Sequence, residues 1–206
     1  MTVERSQVGW GFWLKWVLAS TVGVVVGSIM VLVIGLLIYG LLEELFGSAG
    51  TDIVFEFWLT WWVMGIMLGI GVGILQWLVL RRRITGAGWW VLASAAAGAV
   101  IFQGDLESLS FGLPLRFTGI VALGGAVAGI LQWLVLRGKV SRAGWWVLAS
   151  TVGWGLSIAV LRALEWGVTD DCELVPQVVS GVVLGAITGA ALVWLLLQPI
   201  PEAQLE

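Results

Sequence analysis

The sequence contains no histidine, and its only cysteine is Cys172. Zinc, copper and haem sites of the common kinds need histidine or clustered cysteine ligands, and a serine or cysteine nucleophile normally needs a histidine base. A single cysteine cannot form a disulfide within the chain. The sequence therefore predicts a protein that is not an enzyme and that has no catalytic residues, no cofactor and no metal site.

Charge is also scarce. Charged residues make up 11% of the chain and hydrophobic residues 60%, with a mean hydropathy of +1.03, whereas soluble domains carry roughly 25% charged residues. A bilayer core of ~30 Å is crossed by about 20 helical residues, and six apolar runs approach or exceed that length. They cover residues 13–42, 56–80, 88–103, 114–136, 144–163 and 176–197. The prediction is an all-α integral membrane protein with six transmembrane helices and one membrane domain over residues 1–206.

Positive and negative residues alternate between successive connections. Basic residues collect at the amino end and in the second and fourth connections, for example Arg81 to Arg83 and Arg137 to Arg142, while acidic residues collect in the first, third and fifth. Lys and Arg in short loops stay on the cytoplasmic side of a membrane. We therefore expect the bacterial inner membrane as the location, with both termini cytoplasmic. The expected partners are the lipid bilayer and a further copy or a membrane complex, and not a nucleic acid.

An internal repeat organises the chain. Residues 71–94, GVGILQWLVLRRRITGAGWWVLAS, return as VAGILQWLVLRGKVSRAGWWVLAS at residues 127–150, an offset of 56. Tandem helical hairpins give such a period. We predict three parallel hairpin units, approximately 13–87, 88–143 and 144–198, in a pseudo-threefold bundle.

The third unit has diverged, and two alignments of it remain open. Without a gap, Thr188 takes the place of Gln76 and Gln132. Sliding Trp194 onto Trp133 would put Val193 there instead.

The second helix of each unit carries glycines four residues apart, which places them on one helical face. Small residues let helices approach closely in a membrane, so we expect these glycines to mediate helix packing. Gln76 and Gln132 lie on the same face and should point into the bundle. The glycines are Gly65, Gly69, Gly73, Gly125, Gly129, Gly181, Gly185 and Gly189.

The chain has fifteen tryptophans, and many lie near the predicted cytoplasmic boundary. Indole rings favour the lipid headgroup region, so an aromatic belt is the expected explanation, and a ligand cage is the alternative. The ten residues concerned are Trp10, Trp13, Trp16, Trp77, Trp89, Trp90, Trp133, Trp145, Trp146 and Trp194.

The third apolar run is the shortest and is followed by polar residues. Short spans can mark binding sites in transporters. The candidate polar interior or ligand site therefore combines residues near that run with the deeper amides. It consists of Gln76, Gln132, Thr188, Gln103, Asp105, Glu107 and Arg116.

The recurring strings GILQWLVLR and GWWVLAS resemble those of uncharacterised bacterial multispanning membrane proteins built from the same hairpin. The resemblance covers residues 69–150 well and the flanking spans loosely. It implies a repeated-hairpin membrane architecture, and because no activity is known for that group, it implies no functional residues.

Two functional hypotheses follow. The first is a non-enzymatic membrane module that assembles within the bilayer, with itself or in a larger complex, as the lack of buried charge favours. The alternative is a passive channel or transporter for a small neutral or lipidic solute, with the amides of Gln76 and Gln132 lining the path.

Overall fold

The computed structural model describes residues 9–57, 59–101, 114–167 and 174–198, and these residues form six α-helices joined by turns, with no β-strand among them. The helices follow one another with the bounds α1 Trp10–Phe57, α2 Leu59–Leu80, α3 Trp89–Ile101, α4 Pro114–Leu136, α5 Trp145–Gly167 and α6 Leu174–Leu197.

The first helix is much longer than the predicted span 13–42. It runs for 48 residues, and its only non-helical backbone angles are at Gly47, with φ 69° and ψ 174°. Glycine adopts positive φ without the steric penalty of a Cβ atom, so the chain bends there and continues as helix. Residues 43–57, which lie beyond the predicted span, are therefore helical.

Among the described residues, four stretches are long and apolar enough to cross a membrane, which identifies a membrane protein. They are Trp10–Gly47, Trp62–Leu80, Trp145–Leu164 and Leu174–Leu197. The stretches Trp89–Val100 and Val121–Leu136 are apolar but shorter over the described residues. The third span was predicted over residues 88–103, and α3 is described over Trp89–Ile101, since residues 102–113 lie outside the described part.

The six helices form a closed ring. Each helix packs against the next along the chain, and α6 packs against α1. The turns at residues 81–88 and 137–144 have matching backbone hydrogen bonds, such as Ile84 N to Leu80 O and Val140 N to Leu136 O. These two turns lie at the same end of the ring as the start of α1 and the end of α6, and we call this the basic end.

The main apolar core lies at the basic end. Leu80, Leu136 and Leu192 are completely buried and stand at successive offsets of 56 residues. Ile84 and Val140 fold back from the two basic turns into the same cluster. The core therefore closes the ring at this end. It also fixes the positions of the buried polar residues Gln76, Gln132 and Thr188, which precede these leucines by one helical turn.

Candidate functional site

Three tryptophans meet inside the ring at the basic end. Trp16, Trp90 and Trp146 are at most 1% exposed, and their ring centroids lie 5.3 to 6.0 Å apart. Two of the three ring pairs are nearly perpendicular, the edge-to-face geometry that aromatic quadrupoles favour. We call these residues the tryptophan triad.

The aromatic-belt prediction is wrong for the triad. Trp10 and Trp89 are 81% and 69% exposed, as a belt at a lipid interface requires, but the triad faces the ring interior. The sequence contained a signal that was missed. Each triad residue precedes a serine, Ser20, Ser94 or Ser150, by four positions. Residues four apart share a helical face, so a buried serine implies a buried indole.

Gln76 and Gln132 each connect the helices on either side of their own. Trp90 donates its Nε1 hydrogen to Gln76 Oε1 over 2.9 Å, and Gln76 Nε2 donates to Ser20 Oγ over 3.0 Å. α2 is thereby tied to α3 and α1.

Gln132 makes the same two bonds one unit later. Trp146 Nε1 donates to Gln132 Oε1 over 3.0 Å, and Gln132 Nε2 donates to Ser94 Oγ over 3.0 Å. Ser94 in turn donates to Trp90 O over 2.9 Å. Both glutamines are at least 94% buried. Each amide is hydrogen-bonded to one indole and one serine, which take the place of water.

Thr188 takes the third position in this pattern. Trp16 Nε1 donates to Thr188 Oγ1 over 3.0 Å, just as the other two indoles donate to glutamine. Thr188 donates its own hydroxyl to Leu184 O in the preceding turn. The ungapped alignment of the third unit thus describes the contacts, and Val193 packs against the apolar core instead.

Threonine is shorter than glutamine, so the third unit lacks the bond to a serine that each glutamine makes. Ser150 is 1% exposed, and no amide of the described residues reaches its hydroxyl as Gln76 reaches Ser20. A cavity of about 20 Å³ lies beside it, bordered also by Gln76, Gln132 and Thr188. One water molecule needs a cavity of about 10–15 Å³, so this space is the size of a single water.

The glycines of the second helices lie directly against the first helix of the next unit. A Cβ atom built on Gly129 would lie 2.8 Å from Val147 Cα, and one on Gly185 would lie 2.8 Å from Val17 Cα. Gly73 meets Ser94 and Val91 in the same way. Because real Cβ atoms do not approach so closely, only glycine allows these helix separations.

The remaining predicted glycines follow the same pattern. A Cβ atom on Gly69 would collide with Ser94 O, and one on Gly181 would lie 2.7 Å from Thr21 Cα. Gly125 and Gly189 lie against Trp154 and Trp16, and the carbonyl of Gly65 lies where a side chain on Gly98 would have to go.

Like Gly98, the close glycines Gly23, Gly27 and Gly71 are on helix faces that the sequence did not single out. Gly23 and Gly27 of α1 approach α2, with built Cβ distances of 2.7 Å to Val72 Cα and 2.9 Å to Leu68 Cα. Gly71 approaches Gly27 from the other side. Their four-residue spacing on α1 was a signal of the same kind as the predicted stripes.

The outer candidate residues lie outside the part of the chain whose side chains the structure describes. Gln103, Asp105 and Glu107 lie outside the described residues. Arg116 lies near the start of α4, and its side chain is likewise outside the described part. Within the described ranges, no group of three or more metal-ligating side chains occurs.

The chemistry of the centre is that of neutral donors and acceptors. Amides, hydroxyls and indoles neither supply nor accept protons near neutral pH, and here most of them are engaged with one another. The arrangement can hold helices in register and enclose one small polar molecule. Searches of protein-family models, curated proteins and solved structures found no significant match to this chain.

Proposed function

We propose that the chain is a non-enzymatic integral membrane module that assembles within the bilayer, with further copies of itself or as a subunit of a larger complex. In this proposal the six helices are three parallel hairpins around a pseudo-threefold axis. Both termini and the basic end face the cytoplasm of a bacterial inner membrane.

The observation that carries this proposal is that the polar side chains of the interior are hydrogen-bonded to one another. The amides of Gln76 and Gln132 each receive an indole hydrogen and donate to a serine. Interhelical bonds of this kind contribute about 0.6 kcal/mol each in membranes. These bonds fix the relative positions of the helices, because each amide links its own helix to both neighbouring helices. A centre built this way favours a scaffold whose interactions take place on its outer faces.

The packing at the basic end supports the same proposal over a passive channel. The tryptophan triad and the leucines at positions 80, 136 and 192 fill the axis there with side chains that are at most 1% exposed. A solute path along the axis would require these groups to separate and the indole bonds to break. Exposed apolar surface is abundant instead on the outer faces, as at Leu36 and Leu123, which are 64% and 69% exposed.

Co-purification from native membrane tests the assembly. The full chain, produced with two different tags in one cell, is extracted with its surrounding lipid by a maleic-acid copolymer and captured through one tag. We expect the second tag, or one partner protein at constant stoichiometry, in the captured particle. Mixing separately produced membranes before extraction is the control for chance capture.

A flux assay addresses the channel alternative. Liposomes containing the chain are tested for uptake of water and glycerol beside liposomes containing Gln132→Leu. We expect both to match protein-free liposomes. Flux through the parent that Gln132→Leu abolishes at unchanged helix content, together with a particle holding one copy and no partner, would contradict the proposal.

A further inference from the structure

A groove opens between α1 and α2 at the basic end. Its volume is about 790 Å³, far larger than the central cavity. Its walls are apolar and belong to both helices, with Leu18 and Val22 on one side and Leu75 and Leu78 on the other. Leu18 is 55% and Val22 47% exposed, so the groove faces outward from the ring, toward the surrounding lipid.

Four cationic residues border this groove at the basic end. They are Lys15 on α1 and Arg81, Arg82 and Arg83 immediately after α2.

Two of these side chains, Arg81 and Arg83, lie over neighbouring aromatic rings. The guanidinium carbon of Arg81 lies 5.4 Å from the Trp77 ring centroid, and that of Arg83 lies 5.9 Å from the Phe12 centroid. Cations over ring faces in this range are attracted by the ring quadrupole. Lys15, Arg81 and Arg82 are exposed.

The acidic residues whose side chains the structure describes are far from the groove. Glu43 and Glu44 lie on α1 about 40 Å beyond Lys15 at the helical rise of 1.5 Å per residue. Within the described residues, Lys15, Arg81 and Arg82 therefore have no carboxylate beside them to neutralise their charge.

The second unit provides an internal comparison. Arg82 corresponds to Gly138 at the offset of 56, and Lys15 corresponds to Trp89 when the triad residues Trp16 and Trp90 are superposed. The basic turn of the second unit keeps only Arg137 and Lys139 at these positions, and Lys139 donates to Thr85 O over 2.6 Å. The groove between α1 and α2 thus has two cations that the repeat does not require.

We propose that this groove binds an anionic phospholipid, with its acyl chain along the leucine and valine walls and its phosphate among Lys15, Arg81 and Arg82. An apolar trough that ends in clustered cations is complementary to a molecule with an apolar tail and an anionic head. Basic pockets between transmembrane helices recognise such headgroups in this way. This lipid site is a proposal separate from the assembly proposed above and does not depend on it.

Native mass spectrometry of the purified full chain in a mild detergent tests the site. The protein is titrated with dioleoylphosphatidylglycerol, with dioleoylphosphatidylcholine and with glycerol phosphate, which has a phosphate but no acyl chain. We expect one phosphatidylglycerol to bind more tightly than phosphatidylcholine of the same chains. Glycerol phosphate should not compete.

A pair of matched variants locates the binding. Lys15→Gln with Arg82→Gln removes the two cations specific to the groove, and Arg137→Gln with Lys139→Gln removes two from the other basic turn. Each cation near a headgroup changes affinity on the order of fivefold, so the first variant should bind phosphatidylglycerol roughly 25-fold more weakly. The second should bind it like the parent.

Three results would overturn the proposal. Equal binding of the two phospholipids would remove the headgroup recognition, and equal losses in the two variants would reduce it to total charge. Competition by glycerol phosphate would show a phosphate site without a lipid. Helix content by circular dichroism confirms that the variants are folded, and a phosphatidylglycerol titration of Arg82→Gln alone, with an expected loss of about fivefold, replaces the double variant if that fails to fold.

Discussion

Replacing Thr188 with glutamine should strengthen the ring, although the change buries a larger polar group. Gln76 and Gln132 show what the new side chain would do. Its Oε1 would accept the indole hydrogen of Trp16, and its Nε2 would donate to Ser150, which is buried beside the cavity. The variant would give the third unit the two bonds that the other units have.

The magnitude follows from the cavity and the added bond. Filling about 20 Å³ at ~24 cal/mol per Å³ yields about 0.5 kcal/mol, and one interhelical bond adds about 0.6 kcal/mol. The longer side chain loses more rotamer freedom, which offsets part of this gain. We expect a net increase of about 0.5 kcal/mol in the free energy of unfolding.

Unfolding by sodium dodecyl sulfate in mixed micelles, followed by circular dichroism, measures the change. Thr188→Val is the matched control, because it keeps the shape but removes the acceptor of Trp16, and it should cost about 1–3 kcal/mol. Ser150→Ala combined with Thr188→Gln should erase the part of the gain due to the new bond. A less stable Thr188→Gln protein would refute the reasoning, because it would mean that the amide finds no partner at Ser150.

Two further predictions concern packing and orientation. Gly129→Ala should lower the free energy of unfolding by about 1–3 kcal/mol in the same assay, because its methyl group meets Val147 and Ser150. Gly35→Ala is the control and should be neutral or stabilising, because no atom lies within 4 Å of its built Cβ. Equal effects of the two variants would contradict the role of close packing. A membrane-impermeant maleimide should label Cys172 in intact spheroplasts, and it should label Arg82→Cys in a Cys172→Ala background only after lysis; labelling of both from one side would contradict the proposed topology.

The repeat made much of the polar centre predictable. Gln76 and Gln132 recur at the offset of 56, three residues after glycines of the same face, and that spacing placed them inside the bundle. The structure buries both. Periodicity sufficed here because a glycine face must meet another helix in lipid, and an amide on that face then has no access to the acyl chains.

The tryptophans were harder to assign from the sequence. In the WW pairs at 89–90 and 145–146 the first indole is exposed and the second is buried, as for Trp89 and Trp90 at 69% and 0% exposure. Adjacent helical residues are about 100° apart, so composition alone cannot separate an interfacial ring from an interior one. The break at Gly47 was likewise not predictable, since most of the other glycines of the described helices have ordinary helical angles.

The hydrogen bonds also connect each predicted unit to its neighbours around the ring. Trp90 and Trp146 on the first helix of a unit donate to the preceding unit, and Trp16 donates to the last. An isolated hairpin would bury its indole hydrogen without an acceptor, at a cost of about 1–3 kcal/mol. Only a closed ring gives every triad indole an acceptor. The α6 to α1 contact therefore completes the polar centre, and Thr188, the shortest of the three acceptors, is the place where the pattern of the other two units is incomplete.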